Sequence, residues 1–260
     1  MNDFLSILLP HLVPLLLVVA RVAGLFLLAP VLGNRMAPAR FRALLAVALG
    51  AALYPGALAV MTPTTDVDMF GLAAMTVREA LIGWSMGLIA ALPILALELA
   101  GYIMGHQMGL GLARVFNPEA GTDSEVIGQV LMYIGIGVFL AIGGLEALVL
   151  ILMRTFETIP IGGLAPARAP LDIVLNVMAA GMELAVRVAA PVTGIIFLVM
   201  IALGFLGKTM PQINVMSIGF IVKILAGLAM LAGSLPATRD AVTDELQRVL
   251  TALDQWARAA

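Results

Sequence analysis

The stretch FGLAAMTVREALIGWSMGLIAALPILALELAGYIM, residues 70–104, decides the class of fold. A helix crosses a hydrocarbon core with about 20 apolar residues, and this run exceeds that length with Arg78, Glu79 and Glu98 as its charges. Pro93 lies inside it, which predicts either one kinked helix or two shorter helices in a hairpin. The run is too long and too apolar for a surface element of a soluble domain.

Working outward, further apolar stretches cover residues 5–32, 41–61, 126–153, 171–206 and 213–232. The stretch 171–206 carries Pro191 and Gly194 and raises the same two alternatives as 70–104. Connections at 33–40, 62–69, 105–125, 154–170 and 207–212 bear Gly, Pro or Asn, and 105–125 is the long one. After Pro236 the pattern changes. Val242, Leu246, Val249, Leu250, Leu253 and Trp256 recur at helical spacing, with Asp244/Arg248 and Asp254/Arg258 as i,i+4 pairs on the polar side. The expected organisation is a helical core over residues 1–235 followed by an amphipathic C-terminal helix over 236–260, lying on a partner or a polar interface. The fold class is all-α, built of polytopic, membrane-associated helical hairpins.

Composition agrees. Of 260 residues, 62% are hydrophobic and 12% charged, about half the charge of a typical soluble domain. Too little polar sequence remains for a separate catalytic domain. The formal net charge is −2, so no basic face exists for phosphate contacts and nucleic acid is excluded as a partner. With no cysteine there is no disulfide framework and no thiolate chemistry. Met1-Asn2-Asp3-Phe4 has no basic region ahead of the first apolar run, which is therefore expected to be a retained element. Arg35, Arg40 and Arg42 would place the first loop in the cytoplasm, but Arg154, Arg168, Arg239, Arg248 and Arg258 then fall on the opposite side. A plain alternating topology fits poorly.

Ionisable residues sit deep in the apolar runs: Arg21, Arg78, Glu79, Glu98, Glu146, Glu183, Arg187 and Lys223. Each costs roughly 2.5–3.5 kcal/mol at a bilayer centre, so these side chains are expected to face protein or water. Their pattern fits either a proton or ion relay or pairing between helices and subunits; Glu183 and Arg187 are spaced to pair with each other. Gly101, Gly105 and Gly109, like Gly83 and Gly87, repeat every fourth residue and strip one helix face for close packing. Because these charges and glycine strips lack obvious partners within the chain, it is expected to be an obligate subunit. Met104 and Met108 flank the glycine strip as adaptable packing or a compliant seal.

Signals for catalysis are nearly absent, and no enzyme activity or cofactor is expected. His11 and His106 have no partner at metal-ligand spacing. Gly207-Lys208-Thr209 lacks the upstream glycine of a phosphate loop, since Ala202 stands there, and Met210-Pro211 follows where a helix should open.

Three blocks carry a family likeness. They are Ala20-Arg21-Val22-Ala23-Gly24-Leu25-Phe26-Leu27-Leu28-Ala29-Pro30 with Pro38-Ala39-Arg40; Gln107-Met108-Gly109-Leu110-Gly111-Leu112-Ala113-Arg114-Val115-Phe116-Asn117-Pro118, continuing through Gly121-Thr122 to Gly128-Gln129; and Pro211-Gln212-Ile213-Asn214 with Gly219-Phe220 and Lys223. In these blocks the chain resembles the flagellar biosynthesis protein FliR family, whose injectisome counterparts are similar. Ile221-Val222 stand where that family often has Pro, so no kink is implied there.

The resemblance implies an export-gate subunit of type III secretion, resembling a fusion of FliP-like and FliQ-like proteins. It also implies assembly with those subunits and an FlhB-like subunit in the bacterial inner membrane, within the flagellar basal body. Unfolded export substrates would cross through that assembly, with membrane lipid around part of it. Residues 105–125 would then form a constriction or plug. Met104, Met108, Leu110, Leu112, Val115 and Phe116 supply its hydrophobic lining, Gly105, Gly109 and Gly111 its pliable backbone, and Asn117-Pro118 a turn. Arg21, Glu98, Gly101, Gly105, Glu146, Glu183, Arg187, Asn214 and Lys223 would be buried polar or packing positions. The alternatives are an injectisome export-gate subunit and, from a different class, a small-solute carrier binding substrate at broken helices near Pro93 and Pro191.

Overall fold

A computed structural model describes residues 2–31, 33, 38–58, 68–110, 126–161, 171–210, 212 and 214–259. They form seven helices: α1 (Asn2–Leu28), α2 (Ala39–Leu58), α3 (Met69–Met108), α4 (Val126–Ala141), α5 (Gly144–Thr158), α6 (Leu171–Thr209) and α7 (Val215–Ala259). No strand occurs among the described residues. Helices satisfy their own backbone groups, which an apolar setting demands. Five are long and apolar enough to cross a membrane, or six spans if α4 and α5 together count as one.

Of the two alternatives left open at Pro93 and Pro191 the single helix is found, and two boundaries differ from the sequence expectation. Pro93 and Pro191 lie inside α3 and α6, each a single helix of 40 and 39 residues. A proline removes one backbone hydrogen bond, and neighbouring packing tolerates that loss in apolar helices. Pro236 likewise lies inside α7, so the amphipathic stretch is the last part of a 45-residue helix rather than a helix of its own. Conversely, the stretch 126–153 is broken: Gly143 takes φ +73°, a left-handed conformation that glycine adopts without a Cβ penalty, between α4 and α5.

The chain divides into two compact units. The first comprises Met1–Leu92, Phe139–Val177 and Leu246–Ala260. Its core includes Leu17, Val22 and Leu25 of α1, Met75, Ile82 and Met86 of α3, and Leu148, Leu152 and Phe156 of α5. Here α1 and α3 approach at backbone distance because glycines line the seam. A Cβ on Gly24 would fall on the Ala80 carbonyl oxygen and one on Gly83 on the Arg21 carbonyl oxygen, while one on Gly87 would lie 2.6 Å from that of Leu25. This strip therefore finds its partner within the chain, contrary to the sequence expectation. The end of α7 also belongs to this unit, with Leu246, Val249, Leu253 and Ala257 buried. Arg154 of α5 pairs with Asp254, which also holds Arg258 at 2.9 Å, and the Thr158 hydroxyl donates to the Ala257 carbonyl at 2.7 Å. The apolar stripe read after Pro236 is thus covered in part by the chain itself.

The second unit comprises Pro93–Val138 and Met178–Glu245. Buried Ile94, Leu97, Met104 and Met108, with buried Gly101 between them, give the C-terminal half of α3 a seam at alternating three- and four-residue steps, the spacing of coiled-coil packing. Helix α4 runs antiparallel along it: Gly101 meets Gly128, and a Cβ on Gly135 would lie 2.6 Å from Leu97 Cδ1. In α6, buried Leu184, Val188, Val192 and Ile196 recur every fourth residue on one face.

The glycine seam generates a paired prediction. Gly83→Ala drives a methyl into Arg21 backbone, which cannot swing aside, and should cost about 1–3 kcal/mol. Gly137→Ala, with nothing within 4 Å, should be neutral or stabilise by up to about 1 kcal/mol through helix propensity. Thermal unfolding of the two variants in the same detergent checks the contrast.

Candidate functional site

Two places gather the residues that the sequence marks out. The first, in unit one, is built around Arg21 of α1, whose side chain is fully buried. Its Nε donates to Glu79 Oε2 of α3 at 2.6 Å, and Nη2 lies 2.5 Å from the same oxygen. Nη1 donates to the Thr155 carbonyl at 2.9 Å and to Thr155 Oγ1 at 3.2 Å, and Nη2 donates to the Ile159 carbonyl at 3.1 Å. The Thr155 carbonyl also accepts the Ile159 N–H at 2.9 Å, and a guanidinium at the end of α5 adds further donors where the last carbonyls carry the negative end of the helix dipole. The guanidinium carbon stands 4.6 Å from the centroid of the Phe156 ring, adding a cation–π contact. Arg78 approaches the other Glu79 oxygen at 3.9 Å. A permanently charged guanidinium tied to one carboxylate and helix-end carbonyls clamps α1, α3 and α5 together; it holds no nucleophile.

The second place, in unit two, is the end of α3. Met104, Gly105 and Met108 are buried there. Gly109 has φ +85°, its N–H donates to the His106 carbonyl at 3.0 Å, and the Leu110 N–H donates to the Gly105 carbonyl at 3.1 Å. These are the two bonds of a Schellman stop, which needs the left-handed residue that glycine provides. Gly109 and Leu110 are half-buried. Gly111, Leu112, Val115, Phe116, Asn117 and Pro118 lie outside the described residues.

The remaining marked positions stand apart from these two places. Glu98 is half-buried beside Gly128. Glu183 and Arg187 pair with each other at 2.6 Å on the exposed side of α6. Glu146 is exposed in the first turn of α5, where an acidic group suits the helix dipole. Asn214 is exposed and caps α7, its Oδ1 accepting the Ser217 N–H at 3.2 Å. Lys223 is half-buried. His11 Nδ1 lies 2.7 Å from the Tyr54 hydroxyl, and His106 stacks on Tyr102 with ring centroids 6.2 Å apart. Among the described residues no group of three potential ligands is placed to hold a metal.

The family model for bacterial export proteins, family 1, matches residues 12–249, a range that contains both places. The chain belongs to this family. Relatives of the family include the flagellar biosynthetic protein FliR of Escherichia coli strain K12, 31% identical over 83% of this chain and 82% of its own length. The FliR of Bacillus subtilis strain 168 is 29% identical over 83% of each chain. Surface presentation of antigens protein SpaR of Salmonella typhimurium is 28% identical over 91% of this chain and 88% of its own. The matches to these relatives cover 83–91% of the chain rather than a single motif.

Arg21 was legible as a buried polar position, whereas Glu79 and Thr155, its partners 58 and 134 residues away, were not assigned to it. Glu79 stood out as a charge inside an apolar run; nothing in the spacing joins it to Arg21. Removing one partner strands a buried charge. Glu79→Leu or Arg21→Met alone should therefore cost about 3–5 kcal/mol, while the double variant should recover most of the loss. Thermal unfolding of the three variants in detergent measures the coupling directly.

Proposed function

We propose that this chain is a subunit of the flagellar type III protein-export gate in the bacterial inner membrane, within the basal body, helping to form the channel for unfolded flagellar substrates. FliP-like and FliQ-like subunits, and an FlhB-like subunit, are its partners. Its role is structural rather than enzymatic. The relatives support this class of work: the names of two concern flagellar biosynthesis, and that of a Yersinia pestis relative, 26% identical over 80% of this chain, concerns translocation of Yop proteins.

The observation that carries the reading is the bareness of α6. Of an 18-residue apolar stretch of α6, 22% is buried among the described residues, against 61% for such a stretch of α3. Leu171, Leu175, Met178, Met182, Phe197 and Phe205 are exposed, along about 54 Å of helix from Leu171 to Leu206. A hydrocarbon core is about 30 Å thick, so lipid alone cannot cover that length even when the helix tilts. The exposed Glu183–Arg187 pair lies in the middle of the same run, where lipid would be a poor neighbour. Protein partners remove both difficulties. A carrier working alone would need free polar groups at its broken helices, whereas Pro93 and Pro191 lie in continuous helices and Arg21 is committed to its clamp.

Of residues 105–125, expected to be a connection, 105–108 are the last turn of α3, and the seal of this channel in our reading begins at the Schellman stop on Gly109. A gate for unfolded chains must hold back ions and yet open without breaking a folded core, and a connection between helices suits both needs. Deleting residues 109–116 should leave assembly intact and make membranes carrying the complex leak ions or small solutes. A deleted complex that assembles and stays as tight as the parent overturns the seal.

A further inference from the structure

We infer that Gly227 of α7 is the positioning residue for the end of α3: it provides the seat that holds Met108, and so fixes the point at which the chain leaves the helix. The inference rests on the reading that the segment beyond Met108 seals the export path, and it assigns the element that holds that seal in register.

Between Met216 and Leu235, Gly219 and Gly227 are the buried positions of α7, and every other residue is half-buried or exposed. Each of these glycines sits under one side chain. A Cβ on Gly219 would lie 2.9 Å from Leu203 Cδ1 of α6. A Cβ on Gly227 would lie 2.5 Å from Met108 Cε, 2.9 Å from its Cγ and 3.0 Å from its Sδ. Because Cγ is among the close atoms, a methyl at 227 cannot be relieved by turning the thioether tip alone; the side chain must shift from Cγ outward. Proximity is not a general property of glycine in this region, since Gly194, Gly204 and Gly233 have nothing within 4 Å.

Glycine inside a helix is unfavourable relative to alanine, so a seat at Gly227 is a compensating use of the missing side chain. Methionine is suited to fill it, being unbranched and adaptable in shape. Met108 is the last residue of α3 and is fully buried, and the left-handed Gly109 follows immediately. Displacing Met108 therefore disturbs the Schellman stop itself at Gly109 and Leu110.

The test uses the complete export complex in membrane vesicles, reading ion efflux and, separately, the amount of assembled complex. Gly227→Ala and Met108→Ala should each raise the leak several-fold with assembly unchanged. Their double variant should leak no more than Met108→Ala alone, because both changes undo the same contact. Gly219→Ala, the same substitution under Leu203, should leave the leak at the parent level. If Gly227→Ala reduces assembly, the double variant should restore it. A tight Gly227→Ala complex, a double variant whose leak is the product of the two singles, a Gly219→Ala complex that leaks equally, or failure of that rescue each overturns the seat. Deletion of residues 109–116 separates the two levels: a leaking deletion beside a tight Gly227→Ala complex refutes only the seat, and a tight deletion refutes the seal it serves.

Discussion

A buried guanidinium is affordable only if each of its donors has somewhere to go, and the first unit of this chain is arranged around that constraint. Arg21 directs its five N–H groups at Glu79, Thr155 and Ile159. These partners come from α3 and from the end of α5, so satisfying one side chain fixes three helices at once. The Gly24, Gly83 and Gly87 seam lets α1 come close enough for this to happen. A buried ion pair is weak as a source of stability, because desolvation offsets most of the attraction. Its strength is as a specification: any other register of α1 on α3 would strand a charge in an apolar interior.

The second unit is put together differently. Apolar knobs at coiled-coil spacing on α3 and glycine-to-glycine contact with α4 hold one part of it. Much of α6 and of the apolar part of α7 is left exposed among the described residues, although both are rich in large apolar side chains. A domain that must stand alone in water buries such residues, and one that only crosses a bilayer needs about 20 of them per helix. Helices of 39 and 45 residues fit neither case and suit a surface completed by other helices. The carboxylate and guanidinium of Glu183 and Arg187 neutralise each other on that surface in the meantime.

Much of the architecture was legible because hydropathy and helix geometry act locally. Residues 70–104 read as helix from length and apolarity, and the terminal i,i+4 pairs and apolar stripe anticipated the packed end of α7. The errors came from proline and glycine. At Pro93 and Pro191 the one-helix alternative holds; Pro236 was given more power to break a helix than it has once neighbouring packing compensates, while Gly143 broke a stretch that hydropathy alone joined. At the candidate site, Arg21, Met104 and Met108 were recognisable from their setting in the chain. Glu79 as partner of Arg21, and Gly227 as seat of Met108, were not, because both depend on contacts across 58 and 119 residues that no local pattern encodes.

The central claim is that this family member is an unfinished body whose apolar helices are completed by protein. The mass of the chain purified natively in mild detergent, from cells expressing the full set of export proteins, tests it most directly. The account predicts a stable complex several times heavier than the 27.2 kDa chain, containing other helical export subunits in fixed ratio. A monodisperse single chain that keeps its fold and carries detergent alone on α6 and α7 would contradict it.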